Sequence, residues 1–367
     1  EIFEELGVRD PEETKREMAI TKKTRQVRKE LKDDPDNLEL QLELATLFID
    51  GCNYEEALKQ LALVRNKDPK NPRVYKLLGT AYVLFNHDEE ALLELNRAHE
   101  LDRDDPEILF NLGGVYLLKD MYESAADAFE KAIKIDPTDT TSYANLAAAY
   151  GMLKIYDKEI SALKKVLMFE PENKELRAAL SNAYFNSDRF EEAIENYKIT
   201  IAIEDSTAYA LIKIGYCYER LNNGDLALQH YYQAVEEDPA LDKGWMRITS
   251  FFSSKKDYKK ALFYINKAID IDGDNAAYWL IYSTINERLL LLEEAERGYK
   301  RTLELGDCEL STWLSRGDIL IKLGEYEAAK FNFVQALEYH PKSEELEFRL
   351  SGVCLKLNNM DAGYAHL

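Results

Sequence analysis

Alanine recurs at a fixed interval of 34 residues. Ala57, Ala91, Ala125, Ala193, Ala227, Ala261, Ala295 and Ala329 all fall on one lattice, and the single slot that breaks it holds Glu159. One inserted or deleted residue anywhere between them would destroy the register, so the period describes the whole chain. With that alanine as position 20, nine complete units follow one another: 38–71, 72–105, 106–139, 140–173, 174–207, 208–241, 242–275, 276–309 and 310–343. Residues 1–37 precede them and a partial tenth unit occupies 344–367. A chain of 367 residues is longer than a single hydrophobic core usually grows, and a fixed period of this length favours a repeat array in which each unit covers the apolar face of the next. With 9 Pro and 16 Gly, no stretch reads as a linker, and the chain is expected to form one continuous helical body.

Other positions repeat with the alanine. Position 8 is always small: Ala45, Gly79, Gly113, Ala147, Ser181, Gly215, Thr249, Ser283 and Gly317. Small residues are needed where two helices cross closely. Position 11 is bulky at Phe48, Tyr82, Tyr116, Tyr150, Tyr184, Tyr218 and Phe252, and is expected to fill the space that position 8 leaves. Position 17 is aromatic at Tyr54, Tyr122, Tyr156, Phe190, Tyr258 and Tyr326, and position 32 is proline at Pro69, Pro137, Pro171, Pro239 and Pro341, where it stops one helix before the next unit. Within each half the apolar spacing, as in Leu109, Leu112, Tyr116 and then Ala125, Phe129, Ala132, is that of a helix and not of a strand. Each unit therefore predicts a helix A, a turn and a helix B.

This pattern of bulky 4, apolar 7, small 8, aromatic 11, Ala 20, aromatic 24, Ala 27 and Pro 32 resembles the tetratricopeptide repeat over about five-sixths of the chain. The resemblance implies an all-α fold, a right-handed α-solenoid in which the helix A faces line a concave groove that binds a partner's peptide or helix. In such a groove positions 2, 5, 9 and 12 point inward. In the third to sixth units these are Glu107, Phe110, Gly114 and Leu117, then Thr141, Ala144, Ala148 and Gly151, then Glu175, Ala178, Asn182 and Phe185, then Tyr209, Ile212, Tyr216 and Glu219. Tiny residues in the middle and aromatics on the flanks suit an apolar or aromatic segment. Asn111 and Asn145 share position 6, where O-linked N-acetylglucosamine transferases resemble one another in gripping a peptide backbone with asparagines. The groove residues expected to carry binding are thus Phe110, Asn111, Leu117, Asn145, Asn182, Phe185, Tyr209, Ile212 and Tyr216. The clamp that holds chaperone C-termini is disfavoured: Lys76 matches, but Thr80 and Glu107 spoil the set.

Two segments depart from the pattern. The eighth unit has Asn286 at the aromatic position and Leu289, Leu290, Leu291 and Leu292 across its turn, read as a repacked turn or as an exposed apolar spot for a contact. Lys15 to Lys32 carries eight basic residues, and its stripe of Ile20, Thr24, Val27 and Leu31 reads as a degenerate helix capping the array, with a basic partner-binding arm as the alternative.

The remaining expectations are exclusions. A net charge of −21 repels polyphosphates and anionic membranes, so nucleic acid is not expected as a partner. Cys52, Cys217, Cys308 and Cys354 are too scattered for a disulfide framework or CxxC pairs and read as buried thiols in a reducing compartment, which points to the cytoplasm. No apolar run approaches the length of a membrane span. The five histidines fit no metal or catalytic spacing and no phosphate-binding loop is present, so neither a cofactor nor catalysis is expected. The expected role is a protein-interaction scaffold, or alternatively the regulatory or targeting module of a larger enzyme or complex. The tenth unit has helix A residues Leu346, Leu350, Cys354 and Leu357, and its helix B, from Met360 with Gly363 at position 20, stops at Leu367. The face left uncovered is expected to be either completed by further residues or covered by a second molecule in end-to-end self-association.

Overall fold

The computed structural model describes residues 11–203 and 207–357, and these are helical with short turns and no strand. The first helix, α1, spans Pro11–Asp33. The helix A elements are α2 (Leu38–Asp50), α4 (Pro72–Leu84), α6 (Pro106–Leu118), α8 (Thr140–Met152), α10 (Lys174–Asn186), α12 (Ala208–Arg220), α14 (Asp242–Ser254), α16 (Ala276–Arg288), α18 (Leu310–Leu323) and α20 (Glu344–Lys356). The helix B elements are α3 (Tyr54–Lys67), α5 (Asp88–Leu101), α7 (Tyr122–Ile135), α9 (Tyr156–Phe169), α11 (Phe190–Ile203), α13 (Gly224–Glu237), α15 (Tyr258–Ile271), α17 (Leu292–Glu304) and α19 (Tyr326–Tyr339). The chain divides into two compact units, one up to Asp188 and one from Arg189 onward. Within each, every helix packs on its predecessor and its successor, which is the construction of an α-solenoid of helical repeats.

The ends of these helices have repeated physical causes. Position 34 supplies the N-cap of the next helix A: Asn37, Asn71, Asp105, Asp139, Asn173, Asn275 and Ser343 each accept a backbone N–H of the first turn. The A–B turn puts position 15 in the left-handed region, at Cys52, Asn86, Asp120, Lys154, Asp188, Asn222, Lys256, Leu290 and Gly324. The next N–H then donates back to the position 11 carbonyl, as from Met121 to Tyr116 at 2.8 Å and from Glu325 to Leu320 at 2.9 Å, a Schellman closure that satisfies an end carbonyl of helix A. Only the ninth repeat uses glycine there.

The lattice alanines at position 20 are all fully buried. Position 8 is small because of position 24, not position 11 as the sequence suggested. A Cβ on Gly113 would lie 2.6 Å from Phe129 Cε1, and one on Gly215 would lie 2.5 Å from Tyr231 Cε1. Position 24 is the residue on helix B that reaches helix A at its closest approach, whereas position 11 sits beside the turn. Position 4 ties consecutive repeats: Tyr75 donates to the Pro69 carbonyl at 2.8 Å, Trp245 to that of Pro239 at 3.0 Å and Trp279 to that of Gly273 at 2.8 Å.

The basic helix α1 lies on α2 through its predicted stripe, with Val27 buried and Ile20 and Leu31 beside it among Leu44, Leu47 and Phe48. Lys23 pairs with Glu43 at 2.9 Å and Arg28 lies 5.3 Å from the Phe48 ring, while Lys22, Arg25, Lys29 and Lys32 point to solvent. The leucine run of the eighth repeat splits: Leu289 and Leu292 join core clusters, Leu290 is 80% exposed and Leu291 is also exposed. Asn286 is buried, with its amide donating to the Tyr282 carbonyl. The cysteine expectation is half corrected. Cys217 and Cys354 are buried, but Cys52 and Cys308 are exposed because they fall in turns. Helix B of the tenth unit, with Met360 and Gly363, lies outside the described residues.

Candidate functional site: the helix A faces

Helix A of each repeat presents positions 2, 5, 6, 9 and 12 along one side. Two kinds of contact use some of them between neighbouring repeats. Position 6 reaches back 31 residues to position 9 of the repeat before: Asn111 donates to Thr80 Oγ1 at 3.2 Å, the Arg247 guanidinium lies 4.7 Å from the Tyr216 ring, and Arg349 pairs with Asp318. Position 5 reaches forward at Lys76, which binds Asp105 at 3.0 Å and Glu107 at 2.5 Å. Burial of Lys76 by itself would lower its pKa, but these two carboxylates outweigh it and hold the ammonium above the ordinary lysine range. The one basic residue that fits a carboxylate clamp is therefore already neutralised within the protein.

In the first compact unit, Phe110, Asn111 and Leu117 lie on α6, Asn145 on α8, and Asn182 and Phe185 on α10, all partly exposed. The Phe110 ring leans on Phe129, with centroids 5.9 Å apart. Asn111 has its amide committed to Thr80. Asn145 differs: the residue 31 positions before it is Gly114, which has no hydroxyl to offer, and Asn145 has no hydrogen-bond partner among the described residues. A Cβ built on Gly114 meets no atom within 4 Å, so the surface there is open. Ala148 is exposed and Gly151 partly so.

In the second compact unit, Tyr209 and Tyr216 lie on α12. Tyr209 is 54% exposed with Lys213 Nζ 5.4 Å from its ring, and Tyr216 is flanked by Arg220 and Arg247. Ile212 corrects the sequence reading. It is buried in the core cluster that also holds Val235 and Ile248, and is not presented on the face. The reading of the third to sixth units also missed α20, where Phe348, Gly352 and Leu355, at positions 5, 9 and 12, help line an apolar cavity of about 350 Å³ together with Ile321 and Tyr326. The same positional rule applied to the tenth unit would have found it.

Among the nine complete repeats Glu159 is the one residue at position 20 that is not alanine. Its Oε2 is buried without a hydrogen-bond partner, and its carboxylate lies over Gly151, with Oε1 3.1 Å from where a Cβ would stand. Burial pushes its pKa up to about 6. Among the described residues no group of three or more His, Cys, Asp or Glu side chains is placed to hold a metal ion, and no helix is long and apolar enough to cross a membrane.

Tetratricopeptide-repeat models match residues 27–80, 106–139, 128–160, 178–242, 243–275 and 310–343, well over half of the chain. The chain belongs to the tetratricopeptide-repeat family. Anaphase-promoting complex subunit 3 of Schizosaccharomyces pombe is 21% identical to this tetratricopeptide-repeat chain over 115 residues, 31% of this chain and 17% of that protein. The general transcriptional corepressor trfA of Dictyostelium discoideum is 23% identical over 152 residues, 40% of this chain and 11% of that protein. The matches thus span less than a fifth of either relative's length. Among solved structures, that of Naa15/Naa10 bound to HypK-THB aligns over 90% of this chain and 67% of that one, with 13% identity and a TM-score of 0.50. The crystal structure of YrrB, described as a tetratricopeptide-repeat protein with an unusual peptide-binding site, covers 53% of this chain and 97% of that one at 21% identity and a TM-score of 0.47. The likeness to the Naa15 structure is one of fold alone.

Proposed function

We propose that this tetratricopeptide-repeat protein is a non-catalytic interaction scaffold, and that the helix A face of its third and fourth repeats holds an extended, largely apolar segment of a partner protein. The observation that carries the reading is the small-residue surface of the open Gly114 and the exposed Ala148, on the helices that carry Phe110 and Leu117 and the unpartnered amide of Asn145. A peptide backbone needs close approach and a donor–acceptor pair, and an unpaired asparagine amide supplies both halves of that pair. Phe110 offers a flat anchor whose rotamers are already restrained by Phe129, so that little entropy is lost on contact. The two curated relatives, by their names a complex subunit and a corepressor, are in keeping with a role in assembly.

The test uses pools of fluorescent nonapeptides, degenerate except for one fixed central residue, titrated against the full chain by polarisation. Leu- and Phe-fixed pools are expected to bind better than Glu- and Asp-fixed pools. The double variant Phe110→Ala/Asn145→Ala should weaken binding by about 1–3 kcal/mol, the range of modest interface anchors, with its helical circular dichroism unchanged. Equal binding by wild type and a folded double variant would place the interaction on another surface.

A further inference from the structure

Eight of the nine complete repeats bury an alanine at position 20, between helix B and its own helix A, and the fourth puts Glu159 there. A carboxylate cannot stay in that apolar slot, and the structure shows where it goes. Its Cδ lies 3.2 Å and its Oε1 3.1 Å from where a Cβ of Gly151 would stand. Gly151 is position 12, one of the helix A positions of the proposed face. The carboxylate thus lies against the place a position 12 side chain would take, and a Cβ at Gly151 would press it aside by a few tenths of an ångström. Helix B in this way places an acidic group against Gly151 of helix A.

That group lacks a counter-charge. Oε2 is buried and accepts no hydrogen bond, and burial is the sole cause that perturbs its protonation, with no neighbouring cation contributing. The nearest lysine in sequence, Lys158, is engaged with Tyr150 at 3.0 Å and with Glu130 at 3.4 Å. A half-buried carboxylate without a partner costs stability, and a cation brought to it gains a charge-assisted hydrogen bond in a site already partly stripped of water.

We propose that Glu159 sets the specificity of this face by accepting a lysine or arginine side chain carried by the bound segment. The inference rests on the proposed peptide-binding role of the third and fourth repeats. It adds to that role a partner of definite chemistry, an extended apolar segment with one cationic residue placed to reach Gly151.

The experiment repeats the polarisation titrations with pools in which one scanned position is fixed as Lys, Arg, norleucine or Glu. Norleucine keeps the aliphatic stem of lysine without its charge. Wild type is expected to bind Lys- or Arg-fixed pools about tenfold more tightly than the norleucine pool at one position of the scan, the scale of one charge-assisted hydrogen bond. In Glu159→Gln, which keeps the shape and removes the charge, the difference should fall below about twofold, on the same principle that a neutral pair is worth much less. Glu159→Ala, which restores the residue of the other eight repeats, should behave likewise and secures the result if the glutamine variant folds poorly. Wild type that binds the pools without distinguishing Lys from norleucine, or variants that keep the preference, would overturn the role of Glu159 and leave the face itself standing. If no pool binds wild type at any position, the face is not a peptide site and this inference falls with it.

Discussion

The pairing of position 8 with position 24 can be tested by overfilling it. Gly113 lies under Phe129, which is fully buried, and a Cβ added to Gly113 would stand 2.6, 2.7 and 2.9 Å from three atoms of the ring. Ordinary carbon contacts are about 3.5–4.0 Å, so in Gly113→Ala the ring or α6 must retreat by about 1 Å. Overpacking of that kind costs about 1–3 kcal/mol, while alanine in place of glycine inside a helix returns about 1 kcal/mol. The expected net loss is about 0–2 kcal/mol. Phe129→Leu alone leaves a small cavity and should lose about 1 kcal/mol. The double variant reproduces a pair the chain already uses, Ala45 with Leu61 and Ala147 with Leu163, all of them buried. It removes the collision and keeps the helix gain, so it should lie within about 1 kcal/mol of wild type, well short of the sum of the singles. Urea unfolding followed by circular dichroism measures all four proteins. If Gly113→Ala is more stable than wild type, or if the double variant loses as much as the two singles together, the close approach of α6 and α7 does not set the residue at position 8.

Two further perturbations test separate features. The carboxyl of Glu159 has its folded pKa raised to about 6 from an unfolded value of 4.5, so its effect is absent below pH 4.5, grows as pH rises to 6 and is constant above. Glu159→Ala should therefore gain about 1–2 kcal/mol on wild type at pH 7, allowing for partial exposure, and lose that advantage near pH 4, as read from the difference between their urea midpoints across pH. An advantage that does not vary with pH would mean that packing and not charge is at issue. Leu290 holds a left-handed conformation, φ 60°, with a side chain 80% exposed. Leu290→Gly should raise stability by about 1 kcal/mol, since the strain is relieved and no packing is lost, and a lower melting temperature would refute this.

The period and the helix pairs were legible because they rest on residues within one repeat. Ala57 and its lattice partners, the aromatics at position 17 and the prolines at position 32 each report a local requirement for a close crossing, a filled turn or a helix stop. The reading went wrong where partners had to be matched. The sequence pattern sets bulky position 11 beside small position 8, but only three-dimensional packing shows that Phe129 and Tyr231 reach Gly113 and Gly215. The left-handed turn was hidden as well, because Cys52, Asp120, Lys154 and Leu290 share no chemistry that favours that conformation. There the Schellman closure and the packed helices on either side fix the backbone in spite of the side chain.

The helix A face was less legible, for a reason visible in its asparagines. A helical wheel gives Asn111 and Asn145 the same role, since both stand at position 6. What separates them is the residue 31 positions earlier: Thr80 has a hydroxyl that takes the Asn111 amide, and Gly114 has nothing to take that of Asn145. The same offset joins Arg247 to Tyr216 and Arg349 to Asp318, so the capacity of a position 6 side chain to bind a partner is decided by the repeat before it. Ile212 shows the opposite outcome, a position 5 side chain taken into the core cluster of Val235 and Ile248. In an array of this kind a free side chain on the face marks a mismatch between neighbouring repeats. The fourth repeat has one such mismatch, Asn145 beyond Gly114 of the third, and adds Glu159 over its own Gly151; both leave polar atoms that the proposed bound segment would satisfy.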